Sequence, residues 1–220
     1  HEVTKAFWDE VYTWAVANGY DFSNPGIAEG PEYPVHSINW YDAVKWANAL
    51  SERDGHVPCY YTDNNCTVPY KAGQVDLTNY MVKWNADGYR LPTETEWEVA
   101  SRGGLVGSKY AWGESPSTTR ANFDQTLHGA TVPVGSFPAN GYGLYDMAGN
   151  VKEWCNDWHH SAYYCYSPTD NPTGPAGGVF RVHRGGSYSN SALAVRCAYR
   201  SDDNPGNFYN YLGFRVVVVE

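Results

Sequence analysis

From Gly103 onward the chain is punctuated again and again by glycine, proline, asparagine and aspartate, which limits its possible folds more than any other feature. Glycine supplies left-handed backbone, proline fixes φ, and short amide or carboxylate side chains bond to the nearby backbone. The second half therefore reads as turns and short strands. Upstream of Gly103 the pattern changes, and three segments read as helices. In the first, Thr4 precedes Phe7, Val11, Trp14 and Ala15 at helical spacing, and Asn18-Gly19 ends it. In the second, Asn39 caps the stretch from Trp40 to Leu50, which stops before Asp54-Gly55. The third opens on a capping box of Thr93 and Glu96, with Glu94 and Glu96 placed to suit the helix dipole. Helices first and strands later make an α+β arrangement.

At 220 residues the chain supports one sizeable core and is read as a single domain over 1–220. Its 19 Tyr, 9 Trp and 22 Gly suit an irregular fold held by aromatic packing rather than a helical bundle. A net charge of −9 with no basic patch argues against a nucleic-acid partner. No apolar run reaches the roughly 18 residues that a membrane-spanning helix needs. The chain opens on His1 without a charged leader and apolar stretch, so it reads as a processed or trimmed piece of a longer protein. Cys59 and Cys66 flank a polar turn and could close a short disulfide loop, whereas Cys155, Cys165 and Cys197 lack the spacing of a zinc site. The final run, Phe214-Arg215-Val216-Val217-Val218-Val219, reads as a buried strand, because consecutive β-branched residues are costly to leave in water.

The tail over 181–216 carries the functional signal. Between Arg184-Gly185-Gly186-Ser187 and Gly213-Phe214-Arg215 it offers Tyr188, Ser189, Asn190, Ser191, Tyr199, Ser201, Asp202, Asp203, Asn204, Asn207, Phe208, Tyr209, Asn210 and Tyr211. Tyrosine brings a large contact area with two torsions to freeze, and Ser, Asn and Asp bring hydrogen bonds that can be re-aimed. The same residue types also build solvated loops, so composition alone leaves both readings open. Residues 186–215 contain no Lys, Glu, Gln, Met or Trp, types that make up 30 of the 220 residues.

A second constellation is Asp146-Met147-Ala148-Gly149-Asn150-Val151-Lys152-Glu153, which sets two carboxylates around a glycine turn. Calcium takes carboxylate and carbonyl oxygens from bent backbone, although spacing alone favours a turn cap at Asp146 and a solvated Glu153. None of the seven histidines lies in an HExxH pattern, and GxSxG, GxxxxGK[ST] and GxGxxG are absent.

Motif order adds what single motifs do not. Gly88-Tyr89-Arg90-Leu91-Pro92-Thr93-Glu94-Thr95-Glu96-Trp97-Glu98 is followed by Asn140-Gly141-Tyr142-Gly143-Leu144-Tyr145-Asp146-Met147-Ala148-Gly149-Asn150-Val151 with Glu153-Trp154. Arg184-Gly185-Gly186-Ser187, Arg196-Cys197-Ala198 and Gly213-Phe214-Arg215 complete the series. Over essentially its full length the chain resembles the formylglycine-generating enzyme (sulfatase-modifying factor) family. The resemblance implies a C-type lectin fold of that enzyme's type, loop-rich, with about three helices and few short strands.

It does not carry the activity across. Enzymes of that family place two copper-binding, substrate-oxidising cysteines between the Gly-Gly-Ser and Arg-Cys motifs. Here that interval is Tyr188-Ser189-Asn190-Ser191-Ala192-Leu193-Ala194-Val195, with no thiol to form a thiolate. The family's disulfide partner for Cys197 is replaced by Ser101, so the resemblance leaves Cys197 either free or paired with a different cysteine. The family's calcium site maps to the Asp146 carboxylate, the Gly149 and Val151 carbonyls and the Glu153 carboxylate, which makes structural calcium the expected cofactor and leaves no redox cofactor. A second family calcium site would start at Asn122 and the Phe123 carbonyl, but its acidic partner falls near Thr126.

The tail is similar to one branch of this fold, the variable proteins of diversity-generating retroelements. Those systems rewrite adenines in AAC or AAT codons, which can never yield Lys, Glu, Gln, Met or Trp, the five types missing from the tail. The expected function is a non-enzymatic receptor or adhesion-type protein at the bacterial surface or outside the cell, any lipid anchor being supplied by a segment outside this sequence. An unknown protein or surface ligand is its expected partner. The alternative is an oxidoreductase or other metalloenzyme of the same fold with a non-cysteine site, for which His183 is the one histidine near the tail.

Overall fold

Side-chain caps start the helices where the sequence places them. The computed structural model describes residues 1–124 and 129–218. Helix α1 (Lys5–Ala17) begins with Thr4 Oγ1 accepting from the Phe7 amide and turns Trp8, Val11 and Ala15 inward. Helix α2 (Trp40–Arg53) begins with Asn39 Oδ1 accepting from the Asp42 amide at 2.8 Å. It is buried on almost every side, so its polar residues need partners. Lys45 Nζ meets Asp21 at 2.6 Å and the Gly73 carbonyl at 3.1 Å, and Asn48 bonds the Tyr60 backbone through both ends of its amide. Helix α3 (Glu94–Arg102) carries the full capping box and ends on Gly103 at φ 55°, where a Cβ would fall 2.7 Å from the Gly141 amide nitrogen.

The strands are short, as the turn-rich second half requires. A pair is formed by β1 (Tyr89–Arg90) and, at the other end of the chain, β6 (Val217–Val218). A four-stranded sheet runs in the order β4 (Ser201–Asp203), β3 (Arg181–Arg184), β2 (Lys152–Trp158), β5 (Leu212–Gly213). Neighbours in it are antiparallel except β2 and β5, which are parallel.

The main core lies between α1, α2 and one face of this sheet. Trp8 stacks on Trp46, and Phe214 meets both edge-on. Buried indoles also find acceptors: Trp40 donates to the Cys155 carbonyl, Trp154 to that of Ile38 and Trp158 to that of Leu77. Arg181 is sandwiched between the rings of Trp40 and Trp158 at 3.7 and 3.5 Å and donates to the carbonyls of Asn156 and Leu77.

Two expectations need correction. The terminal run is not one continuous buried strand: Phe214 and Arg215 are buried, the chain leaves the sheet, and only Val217 and Val218 pair again, with Val218 exposed. The reason is that this end pairs, among the described residues, only with two-residue β1, which leaves Val216 and Val217 half-buried; Val219 lies outside the described residues. Cys59 and Cys66 form no disulfide, because Cys59 turns into the core while the Cys66 thiol points at the Tyr80 carbonyl.

Candidate ligand-binding face

Two glycines steer the tail out of β3. Gly185 and Gly186 have φ of 90° and 67°, and a Cβ on Gly186 would fall 2.8 Å from the Ala194 carbonyl oxygen. The turn that follows is fastened by Asn190, whose Oδ1 accepts from the Ser187 amide and hydroxyl and whose carbonyl accepts from the Asp124 amide. Asn190 therefore builds the turn as well as bordering the face. Farther along, buried Arg184 donates to the carbonyls of Cys197 and Tyr199 and to Glu98, while Arg200 forms a two-bond pair with Glu94 at 2.6 and 2.7 Å. These contacts tie the tail to α3. The Ser101 hydroxyl also faces the Cys197 thiol, and burial raises the pKa of that thiol.

The last third of the tail returns over the sheet. Asn204 Oδ1 accepts from the Gly206 amide, and the Pro205 carbonyl accepts from the Trp40 amide at the start of α2. On this platform Asn207 Nδ2 donates to Asp203 and to the Tyr209 hydroxyl, and the rings of Tyr209 and Tyr211 stack 5.1 Å apart. Lys152 Nζ sits 5.0 Å from the Tyr211 ring centre. Tyr188 lies beside Asn210 and close enough to Glu29 to feel its charge. Burial, then Asp203, pushes the Tyr209 hydroxyl up; burial lowers the Lys152 ammonium pKa while Asp203 opposes it. Tyr188, Asp203, Asn207, Tyr209, Asn210 and Tyr211 are thus brought together.

Other tail residues are placed differently. Ser191, Asn204, Phe208 and Asn210 are exposed, while Tyr188 is mostly covered by its neighbours. Ser189 reaches the Ser187 hydroxyl at 3.0 Å. Along β4 the side chains alternate, so Ser201 and Asp203 lie on one face and Asp202 on the other, where it meets His159 Nδ1 at 3.5 Å. Tyr199, half-buried, contributes its carbonyl to Arg184. Sequence reasoning missed Lys152, Glu29 and His159 as neighbours of the tail.

The Asp146 to Glu153 stretch forms a buried ion cage. Both Glu153 oxygens accept from Arg215, each at 2.6 Å, and Oε2 also accepts from Trp97 Nε1 at 2.6 Å. Glu2 accepts from the Val151 amide and the Asn150 side chain, and burial raises its carboxyl pKa well above the usual range, helped by Asp146 and Glu153. Asp146 Oδ2 accepts from the Gly135 amide, while its Oδ1 is buried without a hydrogen bond. Of the expected calcium ligands, Glu153 already receives positive charge from Arg215, and Asp146 has His1 Nδ1 3.8 Å from Oδ2 while its buried Oδ1 is left without a partner. Among the described residues no three His, Cys, Asp or Glu side chains are grouped to hold a metal. Thr126, the acidic-partner position of the second expected site, lies outside the described residues. His183 is buried in β3, and burial with nearby Lys152 pushes its pKa down to about 3, so it stays neutral inside the sheet.

The chain matches the sulfatase-modifying factor enzyme 1-like domain over residues 1–219. It is 43% identical to the formylglycine-generating enzyme of Streptomyces coelicolor over 156 residues, 64% of this chain and 49% of that enzyme. Over 130 residues, 58% of this chain, it is 49% identical to serine/threonine-protein kinase pkn1 of Chlamydia caviae, of which it covers 21%. The chain thus spans about a fifth of that kinase and half of that enzyme. Among solved structures, Treponema denticola variable protein 1 superposes with a TM-score of 0.77 at 31% identity, covering 98% of this chain and 81% of that one. No helix among the described residues is long and apolar enough to cross a membrane.

Proposed function

This chain belongs to the sulfatase-modifying factor enzyme 1-like family, and from that premise we propose that it is a binding protein rather than an enzyme. Its tail, diversified by a retroelement, presents the ligand contacts on a fixed frame at the cell surface or outside the cell. One observation carries this reading: Asp203 on β4 and Asn207, Tyr209 and Tyr211 on the returning loop form one linked patch, with Tyr188 from the turn after β3 and Asn210 beside it, on backbone held by Arg184 and Pro205. Stacked tyrosines give area at low entropic cost, and the amides and carboxylate around them give adjustable hydrogen bonds. The likeness to a Treponema variable protein supports the same reading. So does the chemistry of the interval 185–196, which holds no cysteine, the neighbouring Cys197 being a buried thiol. The ligand is a protein or another surface molecule.

Sequencing the gene's neighbourhood and the same gene in sister isolates tests the proposal. The expected result is a nearby reverse transcriptase, a near-identical repeat of the tail, and differences concentrated at the Ser, Asn, Asp and Tyr positions. A tail identical in every isolate, with no second copy, would remove the diversification from this account.

A further inference from the structure

A second cleft, of about 920 Å³, opens beside the first turns of α3, and none of its walls comes from the tail. Its size is that of a small-molecule site. One side is the loop 169–173, pinned where Asn79 Nδ2 donates to Thr173 Oγ1 at 3.2 Å and to the Gly174 carbonyl at 2.9 Å. The other side is the outer surface of α3, with exposed Val99, and the turn carrying Tyr142 and Leu144.

The lining narrows the ligand class. Its one cation, Arg90, is spent on a two-bond pair with Glu96 at 2.6 and 2.7 Å, so no free positive charge awaits a phosphate or carboxylate, and Asp170 would repel one. A proline-rich peptide would want a donor from the aromatic wall, but Trp84 Nε1 already donates to the Asn79 carbonyl at 3.1 Å. A purely apolar ligand would strip water from the Thr169 hydroxyl and the Asn171 amide without replacing their hydrogen bonds, while the Thr95 hydroxyl has a long contact of 3.4 Å to the Tyr164 hydroxyl. What suits both surfaces is a molecule with apolar ring faces and many neutral hydroxyls.

We propose that this cleft binds a neutral oligosaccharide, with Tyr142, Val99 and Leu144 against the sugar faces and the Thr95, Thr169 and Asn171 side chains on its hydroxyls. The site is separate from the tail patch and serves a different ligand. An array of neutral and acidic oligosaccharides, followed by calorimetric titration of the best binders, tests it on the intact chain. The expected result is binding of at least one neutral oligosaccharide, weakened at least about tenfold by Val99→Arg, an exposed change that leaves the fold intact, and unaffected by Tyr209→Ala. Thr169→Arg, on the opposite wall, should repeat the loss. Binding to acidic glycans alone, no binding on the array, or loss through Tyr209→Ala rather than Val99→Arg would each overturn the proposal; the first two leave the reading of the tail untouched.

Discussion

Arg215→Met is expected to lower the unfolding free energy by about 3–5 kcal/mol, the usual cost of removing one member of a buried ion pair. Arg215 is buried with Glu153 fastened to it by two bonds, and Glu2 and Asp146 lie close enough to raise its pKa. Without the guanidinium, three carboxylates share one desolvated cage with no positive side chain bonded to them. Substituting Glu153→Met in the same protein should recover part of the loss, because an apolar pair of similar volume carries no uncompensated charge. Since the guanidinium fills the role expected of calcium at Glu153, a chelator should leave the melting temperature of the unaltered chain unchanged. Urea melts and thermal melts with and without EDTA measure both effects. A near-normal Arg215→Met protein, or a chain that EDTA destabilises, would show that a metal holds this cage.

Asp157→Asn is expected to act in the opposite direction and to depend on pH. Asp157 lies inside β2, where Oδ2 accepts from the Glu94 amide at the start of α3 and Oδ1 is buried without a partner. Burial, and secondarily Glu94, raises its pKa to about 7 from 3.8. The folded state therefore keeps a proton that the unfolded chain releases near pH 4, so stability falls as pH rises through this window and levels off above 7. At 1.36 kcal/mol per unit the loss approaches about 4 kcal/mol. Asparagine resembles the protonated acid and keeps an acceptor for the Glu94 amide. The variant should match the unaltered chain near pH 4 and melt well above it at pH 8. A difference that does not grow with pH would refute the assignment.

How much of this could be read from the amino acids depends on sequence distance. Caps act over three residues, so Thr4, Asn39 and the Thr93–Glu96 box placed all three helix starts correctly. Ordered motifs were enough to anticipate the family and the α+β, lectin-like fold. The ion cage was not legible, because Glu153 and Arg215 stand 62 positions apart and nothing local distinguishes a carboxylate that binds a metal from one that binds a guanidinium. The same limit hid Lys152 and Glu29 beside the tail. Within the tail, composition could not separate Asn190, which fastens its own turn, from exposed Asn210, nor reveal that alternation along β4 turns Asp202 away from Asp203. The terminal valines read as buried since the pattern shows hydrophobicity and not the width of the sheet that must cover it.

In this protein a fixed frame carries an interchangeable patch. Randomising the adenines of asparagine codons placed at Ser189, Ser191, Asn207, Phe208, Tyr209, Asn210 and Tyr211, displaying the library and sorting for folded chains tests it most directly. The account predicts that most members fold and melt within a few degrees of the parent, and that binders to an arbitrary protein target can be selected whose differences lie at these positions. A library that is mostly unfolded, or one that folds but yields no binders through this face, would contradict it.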